Sequence, residues 1–460
     1  MLLVYRNASA ESLILLGRLY VDLHLLEFVA PLLNKALAMV PDSVSANWAF
    51  ADYFFEIGKG SQARQHYERT LQCGPDSVKR LAILMDHAKC LVAIGETEQA
   101  EQIYCDLMNE RDWRIDAIVM LAGLRSHRND SEIASNIREE LFKPGLSSSE
   151  KSELHLALGR IEENSGQYET AFDLYLKSRS LLSVTFDSVK HRRTVDNIIS
   201  FYPKEMFAES AIFGSKADLP VFVVGMPRSG TTLTEQIIAA HRDAAGVGEQ
   251  IRMTWLERAF RAEYAGENAF ERIGAAARRG ELKARAIENL NVMKMMAPGA
   301  MRVVDKNPLN YMSAGYIHLC FPNAKIIHCR RHPADNFLSA FQNRISQSHS
   351  YSYDQKSYAA CYMEQERIMS HWKACFPQNI FEMQYEEIVD APETVSRALI
   401  AFLGLPWDEN CLNFFENKAT VVVMNAQNVR KPIYSRSVGR WKRYEKRLAP
   451  LFEALSTYGA

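Results

Sequence analysis

Residues 221–238 read VFVVGMPRSGTTLTEQII, and no other stretch narrows the possible folds as much. It opens with VFVVG, an apolar run without the polar alternation of a strand that has one wet face. Such a run suits a strand buried on both faces. Gly225 and Gly230 then bracket a short turn, and TTLTEQIIAAH follows a helical period. Strand, glycine turn and helix in that order build a parallel sheet covered by helices. The turn also leaves backbone N–H groups at a helix N-terminus, where unpaired donors and the helix dipole favour an anion. Gly225, Gly230 and Thr232 have the spacing of the loop G-x-x-x-x-G-K-[ST] of nucleotide triphosphatases. Thr231, however, stands in the place of the lysine, and Arg228 lies inside the turn. A helix end contributes only about 0.3–1 kcal/mol to a bound charge. Side chains must add to it, and Arg228, Thr231 and Thr232 offer a planar guanidinium fork and two hydroxyls.

Further apolar runs follow: MRVVD (301–305), AKIIHC (324–329) and NIFEMQY (379–385) are candidate strands. SAGYIHLCF and NFLSAFQNR read as helices between or after them. This is the βαβ order of a parallel sheet, whose ligands sit at the carboxyl ends of the strands.

The first 183 residues follow another rule. Pro41 and Pro75 are 34 residues apart, as are Val29 and Ala63, Leu33 and Tyr67, and Ala36 and Thr70. A third copy has Gly95, Ala100 and Tyr104 where the second has Gly58, Ala63 and Tyr67, and a late copy supplies Gly159, Gly166, Ala171 and Tyr175. The period and the small-residue positions resemble the tetratricopeptide repeat, which implies roughly five helical hairpins stacked as a solenoid. Small residues at Gly17, Ala51, Ala88 and Gly159 let the two helices of a hairpin approach closely, and glycines 58, 95 and 166 permit the turn between them. Residues 114–148 are helical but a poor copy. The pattern breaks at 184–215, a helical connector, and Gly214, Ser215, Asp218 and Pro220 form a loop signature where the next domain starts. The expected organisation is therefore a helical array over 1–183, a connector over 184–215 and an α/β domain over 216–460.

Composition excludes several classes. The net charge of −1 gives no general affinity for nucleic acid or anionic membrane. The eight cysteines, at 73, 90, 105, 320, 329, 361, 375 and 411, form no C-x-x-C pair, so zinc and redox motifs are unsupported. MLLVYRNASAESL lacks the apolar core of a signal peptide, and no run reaches the ~18 apolar residues of a membrane helix. A cytoplasmic protein with reduced thiols is the expectation.

Three segments carry a second resemblance. GMPRSGTTLTEQII looks like the 5′-phosphosulfate loop of sulfotransferases. NAKIIHCRRHPADNFLSAF resembles that family's 3′-phosphate segment, a strand-end arginine with a serine eight residues later, here Arg331 and Ser339. NVRKPIYSRSVGRWKRYE resembles the C-terminal segment that folds over the nucleotide, with Lys431 at the basic position near the 3′-phosphate. Just upstream, VVVMNAQ departs from relatives, which often carry Thr and Ser near Val423 and Asn425. DKNPLNYMSAGYIHLCFPNAKII and MQYEEIV point to the branch containing tyrosylprotein sulfotransferases and repeat-fused bacterial enzymes.

The resemblance covers roughly 216–460. It implies a three-layer, P-loop-like parallel-sheet domain following the tetratricopeptide solenoid. It also implies 3′-phosphoadenosine-5′-phosphosulfate (PAPS) as co-substrate, no required metal, and an acceptor hydroxyl on a peptide, protein or other molecule docked by the repeats. PAPS has no γ-phosphate, so the missing lysine becomes intelligible. The donor site would comprise Arg228, Ser229, Gly230, Thr231, Thr232, Arg331, Ser339, Tyr385 and Lys431. Arg228 would meet the leaving phosphate, Lys306 the bridging oxygen, and Glu249, 21 residues after Arg228, would be the general base. His241 and Asp305 are rivals for that last role. Residues 251–300 would help shape the acceptor pocket. A nucleotide kinase and a repeat scaffold with a degenerate domain are the competing readings. Thr231 and the Arg331–Ser339 pair count against the first, the intact loop against the second.

Overall fold

The computed structural model describes residues 8–22, 25–125, 130–208, 213–343, 347–416, 432–433 and 435–459. They form two compact units, one running through Gln167 and one from Tyr168 to Phe415 that resumes at Pro432. The contact boundary thus leaves residues 168–183, and the connector that follows them, in the second unit.

The first unit is helical. Ala10–Asp22 packs on Val29–Met39, Val44–Glu56 on Gly60–Gln72, Ser77–Ile94 on Thr97–Leu107 and Arg114–Leu124 on Ser131–Phe142, and Ser148–Asn164 follows. Each pair also touches the next, so neighbours in sequence are neighbours in space. Side chains of Ser43, Asp76, Asp130 and Ser147 cap helix N-termini. Gly58 and Gly95 take φ of +73° and +93° between paired helices, a conformation that costs a residue with a Cβ. Gly17 permits one close approach: a Cβ there would lie 2.7 Å from Leu33 Cδ2. Ala63, Tyr67, Ala100 and Tyr104 are buried where the sequence period places them.

The second unit holds a five-stranded parallel sheet in the order β2-β3-β1-β4-β5. The strands are β1 (Pro220–Gly225), β2 (Ala244–Gly246), β3 (Arg302–Asp305), β4 (Lys325–Arg330) and β5 (Ile380–Gln384). Four coincide with the apolar runs; β2 is an edge strand of three small residues. β1 is buried along its whole length. Its Phe222 and Val224 join one core with Val195, Ile198, Tyr202, Ile317 and Trp372, and its Val221 and Val223 join another with Ile237, Ile238, Leu399 and Ile400. Apolar layers on both faces explain why β1 has no polar alternation. The helix Ser188–Phe201, read from sequence as a connector, belongs to the first of these cores through Val195 and Ile198.

β3 pairs with one side of β1 and β4 with the other. The chain order therefore reverses at β1, and the carboxyl ends of β1 and β4 flank a switch point where such sheets bind ligands.

Among the described residues no helix is long and apolar enough to cross a membrane.

Candidate active site

The anion loop is built around two glycines that admit nothing larger. Gly225 ends β1 at φ +146°, and a Cβ there would lie 2.3 Å from the Cys329 carbonyl oxygen of β4. Gly230 takes φ +102°, and a Cβ there would lie 2.8 Å from Cδ2 of Tyr385. Between them Arg228 adopts φ +73°, uncommon for a residue with a side chain and a mark of a backbone held in place by its surroundings. Gly230 caps the helix Thr231–Ala239 without a side-chain hydrogen bond. Being glycine, the cap offers the first N–H groups of that helix no side-chain acceptor of its own, an arrangement suited to an anion.

The two phosphate motifs read separately from sequence meet in space. Arg228 Nε donates to Ser339 Oγ at 3.2 Å. Arg331, 7% exposed, donates to the Arg228 carbonyl at 3.1 Å and to the Ser437 carbonyl at 2.6 Å, with its guanidinium 4.6 Å from the Tyr385 ring centroid. Burial pulls the Arg331 guanidinium below its ordinary value, partly offset by Tyr385 and Asp335. A cation so desolvated gains from a further anionic partner. Among the described residues, Ser229 Oγ and Arg331 Nε are buried with no hydrogen-bond partner. Orphaned polar atoms on such a loop fit a group that brings its own acceptors. Thr231 is buried and Thr232 half-buried at the helix start. Lys431, the basic residue expected from the C-terminal segment, lies outside the described residues.

Two residues that pattern reading passed over hold this arrangement. Asn336 donates to the Pro227 carbonyl at 3.1 Å and accepts from Tyr358 Oη at 2.6 Å. Asp335 accepts the Gly439 N–H at 2.6 Å and the Trp441 N–H at 2.8 Å, while the Trp441 ring stacks on His332, centroids 5.0 Å apart. The C-terminal segment is thereby tied to the helix Pro333–Phe341, which carries Ser339. The available signal was the density of polar residues in ADNFLSAF, a helix buried on every side.

At the end of β3, Lys306 and Glu249 form an ion pair, Nζ to Oε1 2.5 Å. The lysine is 1% exposed and the carboxylate 54%, so the pair runs from the interior to the surface. Asp305 is 1% exposed and accepts from the Gln250 N–H and from Asn310 Nδ2. Burial pushes its carboxyl well above the ordinary range. A carboxyl group with both oxygens so engaged braces the turn. His241 is also structural. Its Nδ1 accepts the Asp243 N–H at 3.0 Å, which leaves the proton on Nε2 for the Pro406 carbonyl at 2.7 Å. With both nitrogens engaged and the ring 1% exposed, it pins the turn after the helix. Among the described residues no group of three or more His, Cys, Asp or Glu side chains could hold a metal ion.

Residues 220–409 match the family model described as the sulfotransferase family. An uncharacterized protein of Aquifex aeolicus is 30% identical over 386 residues, 82% of this chain and 50% of its own length. Protein-tyrosine sulfotransferase A of Caenorhabditis elegans is 27% identical over 207 residues, 42% of this chain and 52% of its own. The chain spans about half the length of these curated relatives. Among solved structures, the sulfotransferase domain of the Synechococcus PCC 7002 olefin synthase shares 17% identity at a TM-score of 0.38, covering 54% of this chain and 96% of that one. The anion loop, the Arg331–Ser339 segment and the Lys306–Glu249 pair all lie inside the matched sulfotransferase stretch.

Proposed function

We propose that the chain transfers the sulfuryl group of PAPS to a hydroxyl of a protein or peptide acceptor, and that the helical first unit is a tetratricopeptide array that docks it. The observation that carries the reading is the meeting of Arg228, Ser339 and Arg331 beside an uncapped helix N-terminus. A nucleoside triphosphate needs one phosphate cradle; a nucleotide with separate 5′ and 3′ phosphates needs a second cation.

When bound, PAPS supplies the activated sulfuryl group. The amides from Arg228 to Thr232, with the Ser229, Thr231 and Thr232 hydroxyls, hold its 5′ side, and Arg228 neutralises the phosphate that leaves. Arg331 and Ser339 read the 3′-phosphate, and the Tyr385 ring supports Arg331 from below. Lys306, released from Glu249, places a positive charge at the bridging oxygen. Glu249, the more exposed member of that pair, takes the proton of the acceptor hydroxyl. Protein acceptors are favoured by the protein-tyrosine sulfotransferases among the similar proteins and by the solenoid order of the first unit, since stacked hairpins make extended binding surfaces.

Calorimetric titration with adenosine 3′,5′-bisphosphate, AMP and ATP with magnesium tests the reading. The bisphosphate should bind most tightly. Equal affinity for AMP would show that the 3′-phosphate is not read, and preference for ATP with magnesium would transfer the site to the kinase class.

A further inference from the structure

One carboxylate pairs with the Lys306 ammonium, and two buried carboxyl groups lie within its electrostatic reach. Glu249 pairs with Lys306 directly, while Glu235 and Asp305 are 5% and 1% exposed and feel the charge of Lys306. Glu235 has no part in the chemistry described above, yet it sits on the helix whose N-terminus is the anion loop. Its Oε1 accepts the Gly248 N–H at 2.9 Å. The fit is close, because a Cβ on Gly246 would lie 2.8 Å from the same oxygen. The Gly248 carbonyl in turn accepts the Lys306 N–H at 2.9 Å.

We propose that Glu235 is a positioning residue for the Glu249–Lys306 pair. Its carboxyl group fastens the turn 246–249 to the helix of the anion loop, so that the loop for the donor and the turn carrying the base keep one geometry. The inference rests on the transferase reading above.

The titration of Glu235 follows from the same placement. Burial raises its pKa above the ordinary 4.5, against the opposing pull of Lys306 and the Gly248 N–H and with the added push of Glu249. Asp305, buried nearby, is raised chiefly by its own burial and further by Glu235. In the folded chain Glu235 therefore keeps its proton at pH values where the unfolded chain has lost it. Between 4.5 and that raised value the native state binds more protons, so stability falls as pH rises through this window.

Two variants separate the hydrogen bond from the charge. Glu235→Gln retains a carbonyl oxygen for the Gly248 N–H and cannot ionise. Glu235→Ala removes the acceptor. Turnover of a tyrosine-containing peptide pool with labelled PAPS should stay near the parental level in Glu235→Gln. In Glu235→Ala it should fall about a hundredfold, the usual effect of misplacing a reacting group by about 1 Å. Affinity for adenosine 3′,5′-bisphosphate should be parental in both. Glu235→Gln should also melt above the parent at about pH 8 and together with it near pH 4.5, a readout that needs no activity. Parental turnover in Glu235→Ala overturns the proposal, as does loss of bisphosphate affinity in step with turnover or a melting difference that ignores pH. Absence of bisphosphate binding by the parent would instead remove the transferase reading, while the melting comparison would still report on Glu235.

Discussion

Gly230→Ala is the sharpest probe of the anion loop. The substitution places a Cβ on a residue at φ +102°, 2.8 Å from Cδ2 of Tyr385. Holding a residue with a side chain in such a region costs about 1–3 kcal/mol. Relieving the contact requires the Tyr385 ring to move, and that ring lies 4.6 Å from the Arg331 guanidinium, a contact worth roughly 0.5–2 kcal/mol. The two terms sum to about 1.5–5 kcal/mol against the loop conformation. A free loop can escape much of this by relaxing, and donor binding must then rebuild it. About 2 kcal/mol of rebuilding is roughly thirtyfold in Kd. Calorimetry with adenosine 3′,5′-bisphosphate should show that loss in Gly230→Ala. Combining it with Tyr385→Ala should remove the steric part but neither the backbone strain nor the lost support for Arg331, so parental affinity should not return. Parental affinity in the single variant would refute the reasoning, because the loop would then have no need of its left-handed glycine.

Arg331→Gln should bring the affinities for adenosine 3′,5′-bisphosphate and AMP together, with a loss for the bisphosphate of about 1.5–3 kcal/mol, as for a hydrogen bond to a charged group; an unchanged ratio would remove Arg331 from the 3′-phosphate site. His318 is held down to about 4 from 6.5 by burial, so the unfolded chain binds a proton that the native state refuses, and stability is lost as pH falls from 6.5 towards 4. His318→Phe, which keeps a ring against Phe376, should flatten that part of the acid limb in a melting series. In the first unit, Gly17→Ala sets a helix-propensity gain of up to about 1 kcal/mol against overpacking of roughly 1–3 kcal/mol. Buried Leu33 in contact makes packing prevail, so the variant should unfold earlier in urea, and a stabilised variant would contradict the close approach.

What the chain discloses in its order of residues follows from how each feature is held. β1, β3 and β4 were legible because their buried residues are written as short apolar runs, and β5 was read from Ile380, Phe381 and Met383 although the exposed Glu382 interrupts them. β2 was not, because Ala244–Gly246 is short and small-sided and takes its place by pairing with β3. Gly58, Gly95, Gly225 and Gly230 announced turns, since φ values of this sign exclude most residues. Arg228, Ser339 and Arg331 could each be nominated from spacing, but their mutual hydrogen bonds depend on β1 and β4 lying side by side, which no local pattern encodes. Glu249 and Lys306 were chosen for separate roles and stand in contact. Glu235 and Asp335 escaped notice for one reason: a buried acid inside a helix looks like any surface acid until its tertiary partners, here backbone N–H groups of Gly248, Gly439 and Trp441, are known.

Transfer of label from sulfur-labelled PAPS to protein in a cell extract, comparing the parent with Arg228→Ala and Glu249→Gln, bears most directly on the proposed activity. The parent should label acceptor hydroxyls. Arg228→Ala should lose both donor affinity and turnover, because the guanidinium meets phosphate before and during transfer. Glu249→Gln should keep donor affinity and lose turnover by about a hundred- to ten-thousandfold, as expected when a general base is removed. A parent that binds adenosine 3′,5′-bisphosphate but transfers no label, or a Glu249→Gln variant that labels acceptor as fast as the parent, would contradict the transferase chemistry derived from this site.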